Sequence, residues 1–342
     1  MKDLKYIHML LILCFNLTSI LVAQDVLNII NTLDLGAPPS GLNISRAGGK
    51  ISVLGDINGD GYDDWATIAG VEYETGTGYG SIHIYLGSSE RRVSETAADI
   101  VFYGNENMMF GLGVWKAGDV NSDGFDDLIV YGFWLDEDND ELVPTHALYF
   151  GGDPFDTEAD ILFRKMDIHA GTANFSSDAG DVNNDGFDDI LLSVPTLING
   201  SDTAHVYLFY GAEQMDNVPD VIFSSTVILT PNGYVALNFN GATAAGDMNN
   251  DGFDDIIINN HSSAKVYFGG AEMDNTEDVI FDDFYGAGVG TGPFVADAGD
   301  VNNDGYDDIL MTANIAVSKA FICYGGALVD SIPDVIIPMW TE

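Results

Sequence analysis

The hydrophobic and polar positions of this chain alternate with the period of strands. Short apolar runs such as Asp189-Ile190-Leu191-Leu192-Ser193-Val194 and Asp255-Ile256-Ile257-Ile258-Asn259 are aliphatic and follow acid-rich turns. They are the length of buried strands and too short for helices. A second class alternates aromatic and aliphatic residues: Ser81-Ile82-His83-Ile84-Tyr85-Leu86, His146-Ala147-Leu148-Tyr149-Phe150, His205-Val206-Tyr207-Leu208-Phe209, Lys265-Val266-Tyr267-Phe268 and Lys319-Ala320-Phe321-Ile322. A glycine follows most of these, at Gly87, Gly151, Gly211, Gly269 and Gly325. A third class opens on aspartate: Asp99-Ile100-Val101-Phe102, Asp160-Ile161-Leu162-Phe163, Asp220-Val221-Ile222-Phe223, Asp278-Val279-Ile280-Phe281 and Asp334-Val335-Ile336-Ile337. A fourth, small-residue class, as in Phe294-Val295-Ala296-Asp297-Ala298-Gly299, precedes each acid-rich turn. The four classes recur in one order, so the pattern predicts an all-β chain of repeated four-stranded units.

The acid-rich turn sets the period. Gly-Asp-x-Asn-x-Asp-Gly-(Tyr/Phe)-Asp-Asp occurs five times, with first aspartates Asp56, Asp119, Asp181, Asp247 and Asp300, at intervals of 63, 62, 66 and 53 residues. Counted from that aspartate, oxygen side chains stand at positions 1, 3, 5 and 9. Glycine stands at position 6, where a sharp turn with φ > 0 is expected. An aromatic residue at position 7 has only its backbone carbonyl to offer. An all-oxygen set of this size suits Ca²⁺ better than Mg²⁺. The candidate metal ligands are therefore Asp56, Asn58, Asp60, Tyr62 and Asp64; Asp119, Asn121, Asp123, Phe125 and Asp127; Asp181, Asn183, Asp185, Phe187 and Asp189; Asp247, Asn249, Asp251, Phe253 and Asp255; and Asp300, Asn302, Asp304, Tyr306 and Asp308. In each set the aromatic residue acts through its carbonyl. An EF-hand needs a glutamate at position 12, where this chain has Thr67, Val130, Leu192, Ile258 and Met311. Four carboxylates within nine residues repel one another unless a cation joins them. The alternative, that the Asp and Asn residues only form Asx-turns, is weakened by five matching copies.

Four strands per unit of about 60 residues fit a β-propeller blade, in which stacking buries both faces of each small sheet. The expected fold is a propeller of about five four-stranded blades, either a closed five-bladed ring or an incomplete seven-bladed type. At the level of residues, Gly-Asp-Val-Asn-Asn-Asp-Gly-Phe-Asp-Asp resembles the calcium hairpin of the FG-GAP repeat, found in integrin alpha-subunit propellers and bacterial secreted relatives. The resemblance covers residues from about 40 to 338 and implies that the hairpin joins the first and second strands of each blade. The flanking elements are degraded: Phe110-Gly111 survives before the second loop, and Ser193-Val194-Pro195 is a weak echo after the third. The family usually has seven blades. An additional strand-like segment, Asp25 to Ile30, resembles a fourth strand with no blade before it.

Residues 1–23 read as a secretory signal, with Lys2 and Lys5 before an apolar run from Met9 to Val22 that is too short and polar to span a bilayer. The remainder, 24–342, reads as one propeller domain in a secreted or cell-surface protein. The 342-residue chain has a formal net charge of −43, and removal of the signal takes away two lysines and one aspartate. Such a surface disfavours nucleic acid and anionic membranes as partners. Only Cys323 would remain, leaving no pair for a disulfide.

No nucleophile elbow, metalloprotease helix or phosphate-cradling loop is present, so a non-enzymatic adhesion or protein-interaction scaffold with structural calcium is expected. A carbohydrate-binding module is the first alternative, with Trp115 and Trp134 as a sugar platform. A calcium-dependent polysaccharide lyase is the second, disfavoured by the scarcity of basic residues. The extracellular ligand, protein or glycan, and the oligomeric state are left open. Asp136 to Glu141 reads as a solvated hairpin tip. His83, His146 and His205 read as one outward-facing place in three third strands, filled by Lys265 and Lys319 in the others. Asn43, Asn174, Asn199 and Asn260 begin sequons that matter only in a glycosylating host.

Overall fold

The computed structural model describes residues 47–69, 79–89, 98–136, 138, 140–164, 175–195, 203–226, 228–229, 235–236, 241–259, 263–282, 294–313 and 319–338. The signal-like segment, the Asp25 to Ile30 segment and the four sequon asparagines lie outside them. Among the described residues there is no helix, and therefore none long and apolar enough to cross a membrane.

Five four-stranded antiparallel sheets follow one another in chain order, each a meander in which neighbours in sequence are neighbours in space. Sheet 1 holds β1 (Ala47–Gly55), β2 (Asp64–Ala69), β3 (Ser81–Tyr85) and β4 (Ile100–Tyr103). Sheet 2 holds β5 (Met108–Gly118), β6 (Asp127–Asp136), β7 (Glu141–Tyr149) and β8 (Ile161–Arg164). Sheet 3 holds β9 (Phe175–Gly180), β10 (Asp189–Pro195), β11 (Thr203–Phe209) and β12 (Val221–Thr226). A two-stranded pair, β13 (Ile228–Leu229) and β14 (Val235–Ala236), precedes sheet 4: β15 (Gly241–Gly246), β16 (Asp255–Asn259), β17 (Ser263–Tyr267) and β18 (Val279–Asp282). Sheet 5 holds β19 (Phe294–Gly299), β20 (Asp308–Ala313), β21 (Lys319–Cys323) and β22 (Val335–Pro338).

Sheets pack face to face with their successors. First strands lie against first strands, β1 on β5, β5 on β9, β9 on β15 and β15 on β19. Small residues at the end of these strands (Ala117, Ala179, Ala245) allow the approach and are fully buried. Each junction has its own apolar core. Leu54, Ile57, Ile84 and Phe102 of sheet 1 meet Val114, Leu128, Val130 and Tyr149 of sheet 2. Val120, Ile129 and Phe163 meet Ile190, Leu192 and Phe209. Val182, Leu191 and Phe223 meet Ile256, Ile258 and Tyr267. Met248, Ile257 and Phe281 meet Ile309, Met311 and Phe321. No sheet buries its faces alone, so each core is shared by two repeats. The stack is consistent with a propeller-like fold of several blades, and no closed ring forms among the described residues.

The aspartate that opens each fourth strand fastens the turn before it. The Asp99, Asp160, Asp220, Asp278 and Asp334 carboxylates accept hydrogen bonds from the backbone N–H of Leu86, Phe150, Tyr210, Phe268 and Tyr324 at 2.8–2.9 Å. Register corrects one expectation. Ile84, Leu148, Leu208 and Val266 pair with the first residue of their fourth strands. His83, His146 and His205 therefore occupy three successive positions, not one, and His83 and His146 are buried. A histidine every 60 residues looks periodic, but a one-residue slip turns a strand side chain to the other face.

Candidate metal loops and the latches between them

Each acid-rich loop joins the first and second strands of its sheet, as the order of the strand classes and the resemblance imply. The glycine at position 6 is left-handed in all five (Gly61, Gly124, Gly186, Gly252 and Gly305, φ 87–93°). Position 4 is left-handed as well: Gly59, Ser122, Asn184, Asn250 and Asn303 have φ of 54–72°. Asn and Gly tolerate that region best, so the residue types at position 4 carried a signal that the ligand pattern did not use.

The two turns fold the position-1 carboxylate over the loop. In the third loop Asp181 Oδ1 accepts from the N–H of Asp185 at 2.9 Å and Oδ2 from Gly186 at 2.8 Å. Asn183 Oδ1 accepts from Asp185 N–H at 3.0 Å. Asp185 Oδ1 accepts from Phe187 N–H at 3.1 Å. The first, second and fourth loops repeat all four bonds. The fifth loop lacks one of them. Asp304 N–H bonds Asp300 but not Asn302, and Asn302 Oδ1 is buried with no hydrogen-bond partner.

Position 9 is the most buried member of the set. Asp64, Asp127, Asp189, Asp255 and Asp308 have no exposed surface. Both of their oxygens accept backbone N–H groups, one from position 2 of the same loop and one from the glycine after the third strand, at 2.6–3.0 Å. Burial dominates their acidity and pushes Asp127 and Asp189 up to about 8, Asp255 to about 7 and Asp64 to about 6. The nearby position-5 and position-1 carboxylates push the same way, and the two N–H donors only partly oppose them. Asp308 shifts in the same direction. Each carboxylate oxygen has lone pairs beyond the one its N–H occupies, so these groups remain able to ligate. Among the described residues, no three His, Cys, Asp or Glu side chains gather into a metal-holding group. The three aspartates proposed in each loop, at positions 1, 5 and 9, do not converge into such a group among the described residues.

The position-8 aspartate is not merely one of four repelling acids, because in four of the five loops it serves the neighbouring sheet. Asp126, Asp188, Asp254 and Asp307 each reach back to the preceding loop, where Oδ2 accepts from the N–H of Asp56, Asp119, Asp181 and Asp247 at 2.7–3.0 Å. Their own N–H groups donate to the carbonyls of the same residues at 3.0–3.3 Å. A third bond completes each junction: Gly152, Ala212, Gly270 and Gly326 donate to the carbonyls of Ile57, Val120, Val182 and Met248 at 2.8–2.9 Å. These are charge-assisted latches between sheets. At the first, Lys116 Nζ sits 3.1 Å from Asp126. Burial works to lower the Lys116 pKa, but Asp126, Asp178 and Asp188 outweigh it and the net direction is up.

The remaining candidates are structural. Trp134 is buried and meets Phe110 edge-on, with ring centroids 5.5 Å apart. Trp115 packs over Gly113. The acidic tip turns at Asp140, whose N–H donates to the Asp136 carbonyl at 2.8 Å. No protein-family model matches the chain, and no curated protein matches it.

Proposed function

We propose that the chain is a secreted or cell-surface, non-enzymatic β-propeller that binds calcium in its five loops and serves as an adhesion or protein-interaction scaffold. The observation that carries this reading is the repetition of one loop geometry five times, with a buried, partnerless ligand oxygen in the fifth. An acceptor left unpaired in a buried site is costly, and a cation supplies what Asn302 Oδ1 lacks. Five desolvated position-9 carboxylates need the same counter-charge. The residues at positions 1, 3, 5 and 9 and the position-7 carbonyl would hold the ion, whose chemistry is charge neutralisation and loop fixation. Binding energy then becomes folding energy. The resemblance of the loops to the FG-GAP calcium hairpin supports the same assignment.

Metal analysis of the purified protein with thermal melting tests it. Calcium near five equivalents per chain is expected, with affinities of about 10⁻⁴–10⁻³ M. Melting should fall in chelator and recover on adding calcium. A metal-free protein with an unchanged melting curve sinks the proposal. A lectin activity has little support from the geometry, because Trp134 is core.

A further inference from the structure

The five loops share one backbone path, and the first differs from the rest in one chemical respect. Position 4 is left-handed in all of them, with Gly59, Ser122, Asn184, Asn250 and Asn303 at φ of 54–72°. Only in the first is that residue glycine, so positions 3 and 4 form the pair Asn58-Gly59. An asparagine side chain can cyclise on the backbone nitrogen of the next residue, and a Cβ on that residue obstructs the attack. Glycine has none and leaves the nitrogen open to close approach. Gly59 and Asp60 are exposed and Asn58 is half-buried, so solvent reaches the amide. The Gly59 N–H donates no hydrogen bond among the described residues, whereas its counterparts Ser122 and Asn184 donate to the carbonyls of Asp119 and Asp181, both at 3.4 Å. The leaving group is the least restrained of the five. Asn58 Nδ2 lies 3.3 Å from Asp60 Oδ2, against 2.8–2.9 Å for the equivalent bonds of Asn121, Asn183, Asn249 and Asn302. The Asp60 N–H donates to Asn58 Oδ1 at 3.0 Å and stabilises the charge that gathers on that oxygen as the nitrogen attacks.

We propose that the first loop is a self-modifying site, at which Asn58 deamidates in the folded protein while the position-3 asparagines of the other four loops persist. Gly59 N gives its proton to solvent base and bonds to Asn58 Cγ. The Cγ–Nδ2 bond breaks, Nδ2 takes a proton from water and leaves as ammonia, and a succinimide closes over residues 58 and 59. Water then opens that ring at either carbonyl, leaving aspartate or isoaspartate. One water enters for each ammonia lost, and nothing is oxidised or reduced. Either product places a new negative charge in the loop of Asp56, Asp60 and Asp64. The aspartate keeps the length of the backbone and the acceptor for the Asp60 N–H. The isoaspartate adds a methylene to the main chain between residues 58 and 59, which displaces the Asp60 N–H from its acceptors on Asp56 and residue 58. Asp56 is also the residue whose N–H and carbonyl are latched to Asp126, so the change bears on the junction of sheets 1 and 2.

Peptide mapping by mass spectrometry tests this on the full chain, kept folded at mildly alkaline pH and sampled over time. The peptide holding Asn58 should gain the mass of an amide-to-acid conversion about tenfold or more faster than those holding Asn121, Asn183, Asn249 and Asn302, since only Gly59 lacks a Cβ. Three further Asn-Gly pairs, Asn199-Gly200, Asn232-Gly233 and Asn240-Gly241, lie wholly or partly outside the described residues and are followed separately. Gly59→Ser, which copies Ser122, should slow conversion at Asn58 to the rate at Asn121. A Cβ at position 59 would stand 2.7 Å from the Phe125 ring, so a second variant leaves that residue alone: Asn58→Gln, which would have to close a larger ring, should show no conversion over the same period. Thermal melting confirms that both variants are folded. Equal rates at Asn58 and Asn121 overturn the inference, as does a rate at Asn58 that Gly59→Ser leaves unchanged. Conversion of Asn58 confined to the urea-unfolded chain means that the folded loop shields it, and also overturns it.

Discussion

Replacing Asp254 separates a latch from a ligand within one loop. Asp254 is adjacent to a proposed calcium ligand, Asp255, yet its Oδ2 is spent on Asp181 N–H, 2.9 Å away in the preceding sheet. Burial raises the Asp254 pKa, with Asp188, Asp181 and Asp247 adding to it, while the Asp181 N–H opposes them. The carboxylate therefore already bears part of its desolvation cost. A hydrogen bond to a charged group contributes about 1.5–3 kcal/mol, and partial exposure brings the expected loss for Asp254→Ala to about 1–2 kcal/mol. The backbone bond from Asp254 N–H to the Asp181 carbonyl, 3.2 Å, survives the substitution and limits the damage. Asp254→Asn keeps an acceptor in place and should cost under about 0.5 kcal/mol. Urea unfolding in excess calcium measures both, and calorimetric titration measures ion affinity. Asp254→Ala should leave affinity within about threefold, whereas Asp251→Ala, at position 5, should lower it about tenfold or more. Equal losses of affinity for the two alanine variants, or equal instability for Asn and Ala at 254, would refute the division of labour.

Three further outcomes concern His146, Gly211 and Cys323. His146 is fully buried with neither ring nitrogen bonded, and burial holds its pKa down to about 3; His146→Ile, matching Ile82 at the same register, should stabilise by about 1 kcal/mol at pH 7. Because the folded pKa lies below the unfolded one, wild-type stability falls as pH drops below about 6.5. By pH 5 the variant's advantage should grow by about 2 kcal/mol, and thermal melts at both pH values that move in parallel would contradict this. Gly211→Ala places a carbon against the backbone carbonyls of Asp188 and Val120, so a loss of about 1–3 kcal/mol is expected in the same melts. Cys323 is buried in the junction of sheets 4 and 5, its thiol pushed up to about 12 chiefly by burial; labelling by a thiol reagent should be slow in calcium and fast in chelator, and equal rates would show that the loops do not hold that junction closed.

What was legible in the sequence was whatever is local to one repeat. Strand order, the hairpin between first and second strands and the left-handed glycine at position 6 all follow from residues within one repeat. The latches do not, because Asp126, Asp188, Asp254 and Asp307 find their partners 60–73 residues upstream. An acid beside other acids looks repulsive when only its own loop is in view. The same blindness moved His83, His146 and His205 into one place, since counting from a loop cannot register the bulge or slip that shifts a pairing by one residue. The one available hint was arithmetic of a different kind. Position 8 is aspartate in all five loops, although the coordination pattern gives it no task. A residue repeated without a role in its own unit points to the unit beside it.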